Sequence, residues 1–420
     1  MNTGRYKTIQ KDVIVIGGGT SGVFAAISAS DAGANTLLVE KNGMLGGTMT
    51  VSGVNYPGLF YACGKRILGG HAWEVINEIM RDGLSKYPEI KERRDEHWLE
   101  QFRLNVFSAA RAFDRNCQKF GVDVLLHTMA AGVDEKSGGL SVLLCGMEGL
   151  FRVKAKCLID ATGDACAVRM AGYGVIRDNE VQPASLVCTL DGCDNAKTDP
   201  EDIADKYRQA EERNSLPSCL TLKAFREKLL SGRGDIHIEC PPDVDTSAGR
   251  TAVEQRAREE VEKYLELVRS VKGCERAVIR LDGLECGIRE SVRIDGEYTV
   301  TADDYVSGTR FDDAVCYAFY PVDLHVRDGV APVRLRDGVI PTIPLRALIP
   351  KGSRNIIAVG RCLSSDRIAN SGLRVQVPCM ATGQAGGIAA ALAAKSGSAV
   401  GDVPFEMIKE ELCRQGCIVP

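Results

Sequence analysis

Four consecutive apolar residues, 13–16, predict a strand buried on both faces, as in a parallel sheet. A cluster of glycines follows at once. Residues 23–32 then read as an alanine-rich helix and 36–39 as a second apolar strand. Helical spacing returns at about 71–85 and 97–120, the second stretch beginning near Trp98 and ending at Gly121. Apolar runs at 122–126, 140–144 and 150–153, set apart by glycines and charged turns, predict short strands, and 157–160 predicts another that enters a tight turn. From 175 to 330 the pattern loosens into polar linkers around a helix at 252–271 and an isolated strand at 277–281. The C-terminal part regains glycine-rich α/β character: a buried strand at 356–359, then a last helix with Pro378 in its first turn, running to Lys395. This distribution predicts one discontinuous domain from 1–174 and 331–420, with a second domain, 175–330, inserted between.

Composition narrows the classes. The chain has 420 residues, 45% apolar and 26% charged, which is ordinary for a globular protein and too long for one core. A net charge of −4 and no long basic run argue against nucleic acid. No apolar stretch is read as a membrane span, and the polar residues 1–11 do not resemble a signal peptide, so a cytoplasmic protein without membrane contact is expected. Sixteen cysteines suggest an iron–sulfur cluster, but none stands at C-x-x-C spacing, so no metal site is expected. Cys145, Cys157 and Cys316 lie in apolar runs, where a thiol packs as a small hydrophobe. Cys413 and Cys417 stand four apart in what reads as a frayed tail.

The chemistry begins between the first strand and helix. Gly17, Gly19 and Gly22 stand at G-x-G-x-x-G spacing, and Glu40 closes the second strand. The first glycine permits the tight turn, the second admits a pyrophosphate against the backbone, and the third lets helix and strand approach. The helix N-terminus favours the phosphate charge, and Glu40 suits a ribose diol. A carboxylate there repels a 2′-phosphate, which disfavours NADP and leaves FAD and NAD open. The glycine-rich turn 41–47 follows directly; an NAD site does not need it, and it resembles the loop that carries flavin contacts in glutathione-reductase-type flavoproteins.

Four segments together resemble the FAD-dependent oxidoreductases of the glutathione-reductase-like superfold, in particular the group related to fumarate reductase flavoproteins. They are 12–47; Ala161-Thr-Gly-Asp164 with Met170-Ala-Gly172; 287–293; and 360–365 running into 373–390. The resemblance implies an α/β fold: a Rossmann-like FAD-binding domain with an inserted, mixed α+β substrate or cap domain. It places Gly17, Gly19, Thr20, Ser21 and Gly22 at the pyrophosphate and Glu40 at the ribose. Lys41, Gly46, Gly47 and Thr48 fall on the ribityl and flavin side, with Gly163, Asp164, Gly360 and Arg361 as further approaches. Val375 and Gln376 open the helix whose N-terminus faces the flavin. No histidine lies between 41 and 60, so FAD is expected to be held without a covalent bond. Where this group often has histidines, the chain has Arg367 and Asn370.

Candidate catalytic residues must lie near the flavin and carry charge or titrate. Arg374, just before the last helix, suits a substrate carboxylate or a reduced ring. Arg289 lies in a charged turn with Glu290 and Arg293. His325 alternates with Asp323 in strand fashion, so the two share a face, and it is a natural acid–base group. His71 and Cys63 carry weaker cases. The resulting expectation is an oxidoreductase moving a hydride between FAD and a small organic substrate. Two readings stay open beside it: a flavin-carrying electron-transfer subunit docking a protein donor or acceptor, and an NAD-linked dehydrogenase.

Overall fold

The structure is a computed structural model, and it describes residues 8–87, 101–136, 139–326, 329–330 and 332–420. Five short strands, β1 (Val13–Ile16), β2 (Thr36–Val39), β3 (Asp123–Leu125), β4 (Cys157–Asp160) and β5 (Ile356–Ala358), form a parallel sheet in the order β5-β4-β1-β2-β3. Val13 stands beside both Cys157 and Thr36. Every residue of β1, β2, β4 and β5 is buried, which is why these runs carry almost no polar alternation. A second sheet pairs Met129–Lys136, Gly139–Gly146 and Gly149–Ala155 antiparallel, and Thr8–Gln10 adds in parallel at its edge.

Helix α1 (Thr20–Asp31) joins β1 to β2; α2 (Gly70–Met80) and α3 (Val106–Lys119) follow. Sequence spacing starts α3 at 97, but the helix begins after Asn105, whose side chain accepts from the Ser108 N–H and stops the helix there. Trp98 lies outside the described residues. Similarly, α2 ends at Met80 rather than 85.

A separate apolar cluster draws on residues between Ala184 and Ile288 around α4 (Ser247–Ser270). Val292 and Ile294 pack instead against the sheet, and Val300, Tyr305, Val315 and Cys316 join the largest core. The clustering thus covers a shorter stretch than the 175–330 expected from composition.

α5 (Arg367–Leu373) leads into α6 (Gln376–Ser396). By length and composition α6 could cross a membrane, with a mean hydropathy of 1.2, contrary to the sequence reading that no stretch qualifies. Nearly all of its residues are buried inside the fold, which accounts for a helix apolar all round. It packs on α1 backbone to backbone: a Cβ added at Gly383 would sit 2.2 Å from the Ser21 carbonyl, and one at Gly387 2.2 Å from that of Ala25. The tail beyond is docked, not frayed. Gln415 donates to the Ser28 carbonyl at 3.0 Å, and the Gly416 carbonyl accepts from Gly70 N–H at 2.7 Å.

Candidate active site

A cavity of about 1270 Å³ opens along the carboxyl edge of the parallel sheet, where ligands of open α/β sheets bind. It exceeds the roughly 300–1,000 Å³ of ordinary ligand pockets. Gly17, Gly19, Thr20 and Ser21 line it after β1, Glu40 and Lys41 after β2, and Gly163 and Asp164 after β4; Gly47, Thr48, Arg361, Val375 and Gln376 complete this set. Gly22, Gly46 and Gly360 do not line it; their work is packing. A Cβ at Gly22 would lie 1.8 Å from the Gly17 carbonyl, one at Gly46 would meet Thr50, and one at Gly360 would lie 2.6 Å from Ser21 Oγ. Gly46 and Gly360 also have φ of +110° and +79°.

Several observations fit a dinucleotide here. An added Cβ at Gly19 meets nothing within 4 Å, so this backbone faces open space. Gly19 caps α1 without a side-chain hydrogen bond, leaving the first-turn amides for a ligand. The two glycine loops are clamped together, Gly46 N–H donating to the Gly18 carbonyl at 2.7 Å. Glu40 is buried, and its oxygens accept from Gly18 N–H at 2.6 Å and Asn42 N–H at 2.8 Å. Burial raises its pKa against those two bonds. Glu40 therefore shapes both loops as well as lining the cavity. Glu40→Ala is expected to weaken FAD binding by about 1.5–3 kcal/mol, measured by titration of the apoprotein. Unchanged affinity would show that the acid does not serve the nucleotide.

Asp164 is held among three donors: Arg361 at 2.7 Å, Ser291 at 2.5 Å and Arg250 at 3.0 Å. Burial opposes its charge, but the Arg361 and Arg250 guanidiniums outweigh this and lower its pKa. Gly163 has φ of +75°, and a Cβ there would press the Arg361 guanidinium at 2.9 Å. Lys41 pairs with Glu285 at 3.1 Å.

The far end gathers the candidate catalytic residues. Arg374 donates to Gln182 Oε1 and to the Asp323 carbonyl, both at 3.2 Å, and lies 3.5 Å from the Asp323 carboxylate. Arg289 donates to the Pro183 carbonyl at 2.5 Å and to His237 Nε2 at 3.2 Å. His325 Nε2 lies 3.1 Å from Asp323 Oδ2, on the shared face expected for that pair. A named strand forms only at His325–Val326; within 320–324 the pairing is a single bridge, Val322 exchanging two backbone bonds of 2.9 Å with Val333.

Tautomers follow from these partners. Arginine only donates, so His237 offers the lone pair of Nε2 to Arg289; ionised Asp323 only accepts, so His325 carries its proton on Nε2. His325 Nδ1, buried and without a partner, then presents a lone pair. Burial and the nearby Arg289 lower the His325 pKa to about 4, and the same causes hold His237 well below its ordinary value. Burial opposes charge on Asp323, yet hydrogen bonding to His325 and the nearby cations bring it down to about 2. Arg289 falls to about 10, through burial and then repulsion from Arg374. Ser185 Oγ, Arg374 Nε and Gln376 Oε1 are also buried without partners.

Other candidates lie elsewhere. His71 faces Asp31 at 3.2 Å and packs on Phe120. Arg293 points to Asp178 and the Ser365 carbonyl, and Arg367 to Glu290 and Glu180. Asn370 donates to the Arg361 carbonyl. Exposed Cys63 sits in a two-residue turn with φ of +48° between Tyr61–Ala62 and Lys65–Arg66. All sixteen cysteines are free, and among the described residues no three His, Cys, Asp or Glu side chains gather as a metal site.

Sequence reading missed two central residues. His237 lines the cavity from the strand Ile236–Ile238, where an Ile-His-Ile alternation is its only local sign. Gln182, fully buried, is held by Glu290 through two bonds of 2.7 Å and presents its Oε1 to both Arg374 and the His325 N–H. Nothing near it in sequence announces that role.

Glycine turn, open helix N-terminus and acid at the edge of a parallel sheet define a dinucleotide-binding α/β protein. The sequence pattern of the FAD dependent oxidoreductase family matches residues 12–412, and the chain belongs to that family. It is an oxidoreductase with FAD as cofactor. The chain is 30% identical to thiamine thiazole synthase of Aeropyrum pernix over 194 residues, 42% of this chain and 64% of that protein. It is 52% identical to beta-cyclopiazonate dehydrogenase of Aspergillus oryzae over 40 residues, 10% of this chain and 9% of that one. The chain thus spans less than two thirds of each of these relatives. Among solved structures, a geranylgeranyl bacteriochlorophyll reductase-like protein of Thermoplasma acidophilum is similar at a TM-score of 0.45 and 14% identity, covering 97% of this chain and 83% of that one.

Proposed function

We propose that the protein transfers a hydride between non-covalently bound FAD and a small organic anion. When bound, FAD supplies the two-electron chemistry at its ring. The observation that carries the reading is the joint placement of Arg289, Arg374 and the Asp323–His325 pair on the cavity beside the N-terminus of α6. Arg374, steadied by Gln182 and Asp323, orients the anionic group. Arg289 adds positive charge and fixes His237. His325, neutral at physiological pH, takes or returns the proton at Nδ1 while Asp323 stabilises its charged form. The α6 N-terminus and the two guanidiniums favour negative charge at this end.

Arg374→Lys is the test. Lysine keeps the charge but loses the planar fork. The variant is expected to retain FAD and to slow flavin reduction or reoxidation by roughly tenfold or more, a loss of about 1.4 kcal/mol in the transition state. Stopped-flow absorbance against a panel of small acids, amines and alcohols reads it. If no compound changes the flavin while a protein partner exchanges electrons quickly, the protein is an electron carrier. A yellow preparation that releases its FAD on acid denaturation is expected as well; flavin remaining on the chain contradicts the non-covalent attachment, which rests on the absence of histidine from 41–60.

A further inference from the structure

The chain carries net negative charge, yet the cavity lining includes Lys86, Arg103, Arg233, Arg289 and Arg374, together with the carboxylates Asp235 and Asp323. Two of these cations form the inner pair that the proposed function uses. Of the other three, Arg233 and Arg103 pack on Tyr56. The Arg233 guanidinium lies 5.0 Å from the Tyr56 ring centroid and donates to its hydroxyl at 3.2 Å; that of Arg103 lies 5.9 Å from the same ring. One aromatic side chain therefore holds two guanidiniums in place. Lys86 is fixed beside them, since its backbone pairs with that of Arg103 through bonds of 2.9 and 3.1 Å. Among the described residues, Arg103 and Lys86 have no acid partner; Arg233 has Asp235 at 3.6 Å, and that carboxylate is taken more closely by Lys228 at 2.9 Å. Among the described residues, the charge of Lys86 and Arg103 is not consumed by ion pairs.

We infer that Lys86, Arg103 and Arg233 form a second anion station, and that the substrate is an elongated organic molecule with an anionic group at each end. The inference rests on the reading that Arg289 and Arg374 hold the reacting end. The inner arginines fix one anion next to the acid–base pair, and the outer station takes a second carboxylate or a phosphate. Among the described residues Lys86 and Arg103 have no acid partner, and Arg103 converges with Arg233 on one tyrosine. Arginine suits both oxyanions, because its fork matches either geometry.

The experiment uses the FAD-loaded enzyme and reads dissociation constants from the flavin absorbance shift. The probes are straight-chain monocarboxylates, dicarboxylates of increasing length, and ω-phosphonocarboxylates of the same lengths. One dicarboxylate or phosphonocarboxylate length is expected to bind roughly tenfold tighter than the matching monocarboxylate. The stronger of the two series identifies the outer group. In Arg103→Gln combined with Lys86→Gln, that ratio is expected to fall to about two, and in the parent protein it shrinks with added salt because the station is partly exposed. Both side chains are exposed, so the variant is expected to fold; retained FAD and an unchanged melting temperature check this. If no dianion outbinds its monoanion, or the double variant keeps the full ratio, the outer station does not exist. If in addition monocarboxylates bind without dependence on Arg374, the inner anion site falls too, which separates the two failures.

Discussion

Gly22→Ala is expected to give a colourless and poorly folded protein. The added Cβ would stand 1.8 Å from the Gly17 carbonyl and 3.0 Å from the Ala161 side chain, both of them on the packed junction between α1 and the sheet. Nothing at that junction is the end of a flexible side chain, so α1 must lift away, at a cost of about 3 kcal/mol or more. Gly19→Ala provides the contrast. Its Cβ meets nothing within 4 Å, so the apoprotein is expected to melt as the parent does. The methyl group enters the space reserved for the pyrophosphate, and FAD retention falls. Circular dichroism and bound flavin per chain separate the effects. Equal damage to fold by both substitutions contradicts this division of labour.

The second large effect belongs to Asp164. Its carboxylate joins three parts of the chain: the turn after β4, Arg250 on α4 and Arg361 after β5. Asp164→Asn keeps the shape but leaves two guanidiniums without a countercharge, an expected loss of about 3 kcal/mol. Asp114→Asn, which removes a surface pair with Arg111, is the control and should lose less than about 1 kcal/mol. The pH dependence has a definite sign. The folded-state pKa of Asp164 lies below its ordinary 3.8, so its stabilisation is complete above that pH and disappears as pH falls through the folded value. The parent protein should therefore lose stability below about pH 4 more steeply than Asp164→Asn. Parallel melting-temperature curves refute the assignment.

How much of this was legible in the sequence depends on the range of the interactions. The turn from β1 to α1 was legible because its meaning is local: strand, glycines and helix follow within twenty residues, and Glu40 closes the next strand. The lining role of Gly19, Thr20 and Gly47 follows from that order. Gly46 and Gly360 show its limit. Both are glycines for backbone reasons, but one faces Thr50 and the other Ser21, contacts that no spacing rule displays. The reactive end was partly legible. Arg374 was marked by its place before the last helix, and the Asp323–His325 pair by two-residue alternation. Gln182 and His237 were not, because their significance arises from partners more than 50 residues away: Arg289 for His237, and Glu290, His325 and Arg374 for Gln182. The expected start of α3 at 97 comes from counting apolar spacing back past Asn105, whose side chain caps the helix N-terminus.

The seam between α1 and α6 carries a consequence for biosynthesis. A ribosome releases the β1–α1 turn hundreds of residues before Gly383 and Gly387 exist to meet the Ser21 and Ala25 carbonyls. Until then the apolar α1 has no partner for that face, and the nucleotide loop at its start lacks its support. The cluster from Ala184 to Ile288 draws only on chain already made by then, so it can form before α6 exists. Cofactor capture is thus expected late in the life of the polypeptide, and chains cut short of α6 are expected to retain no FAD.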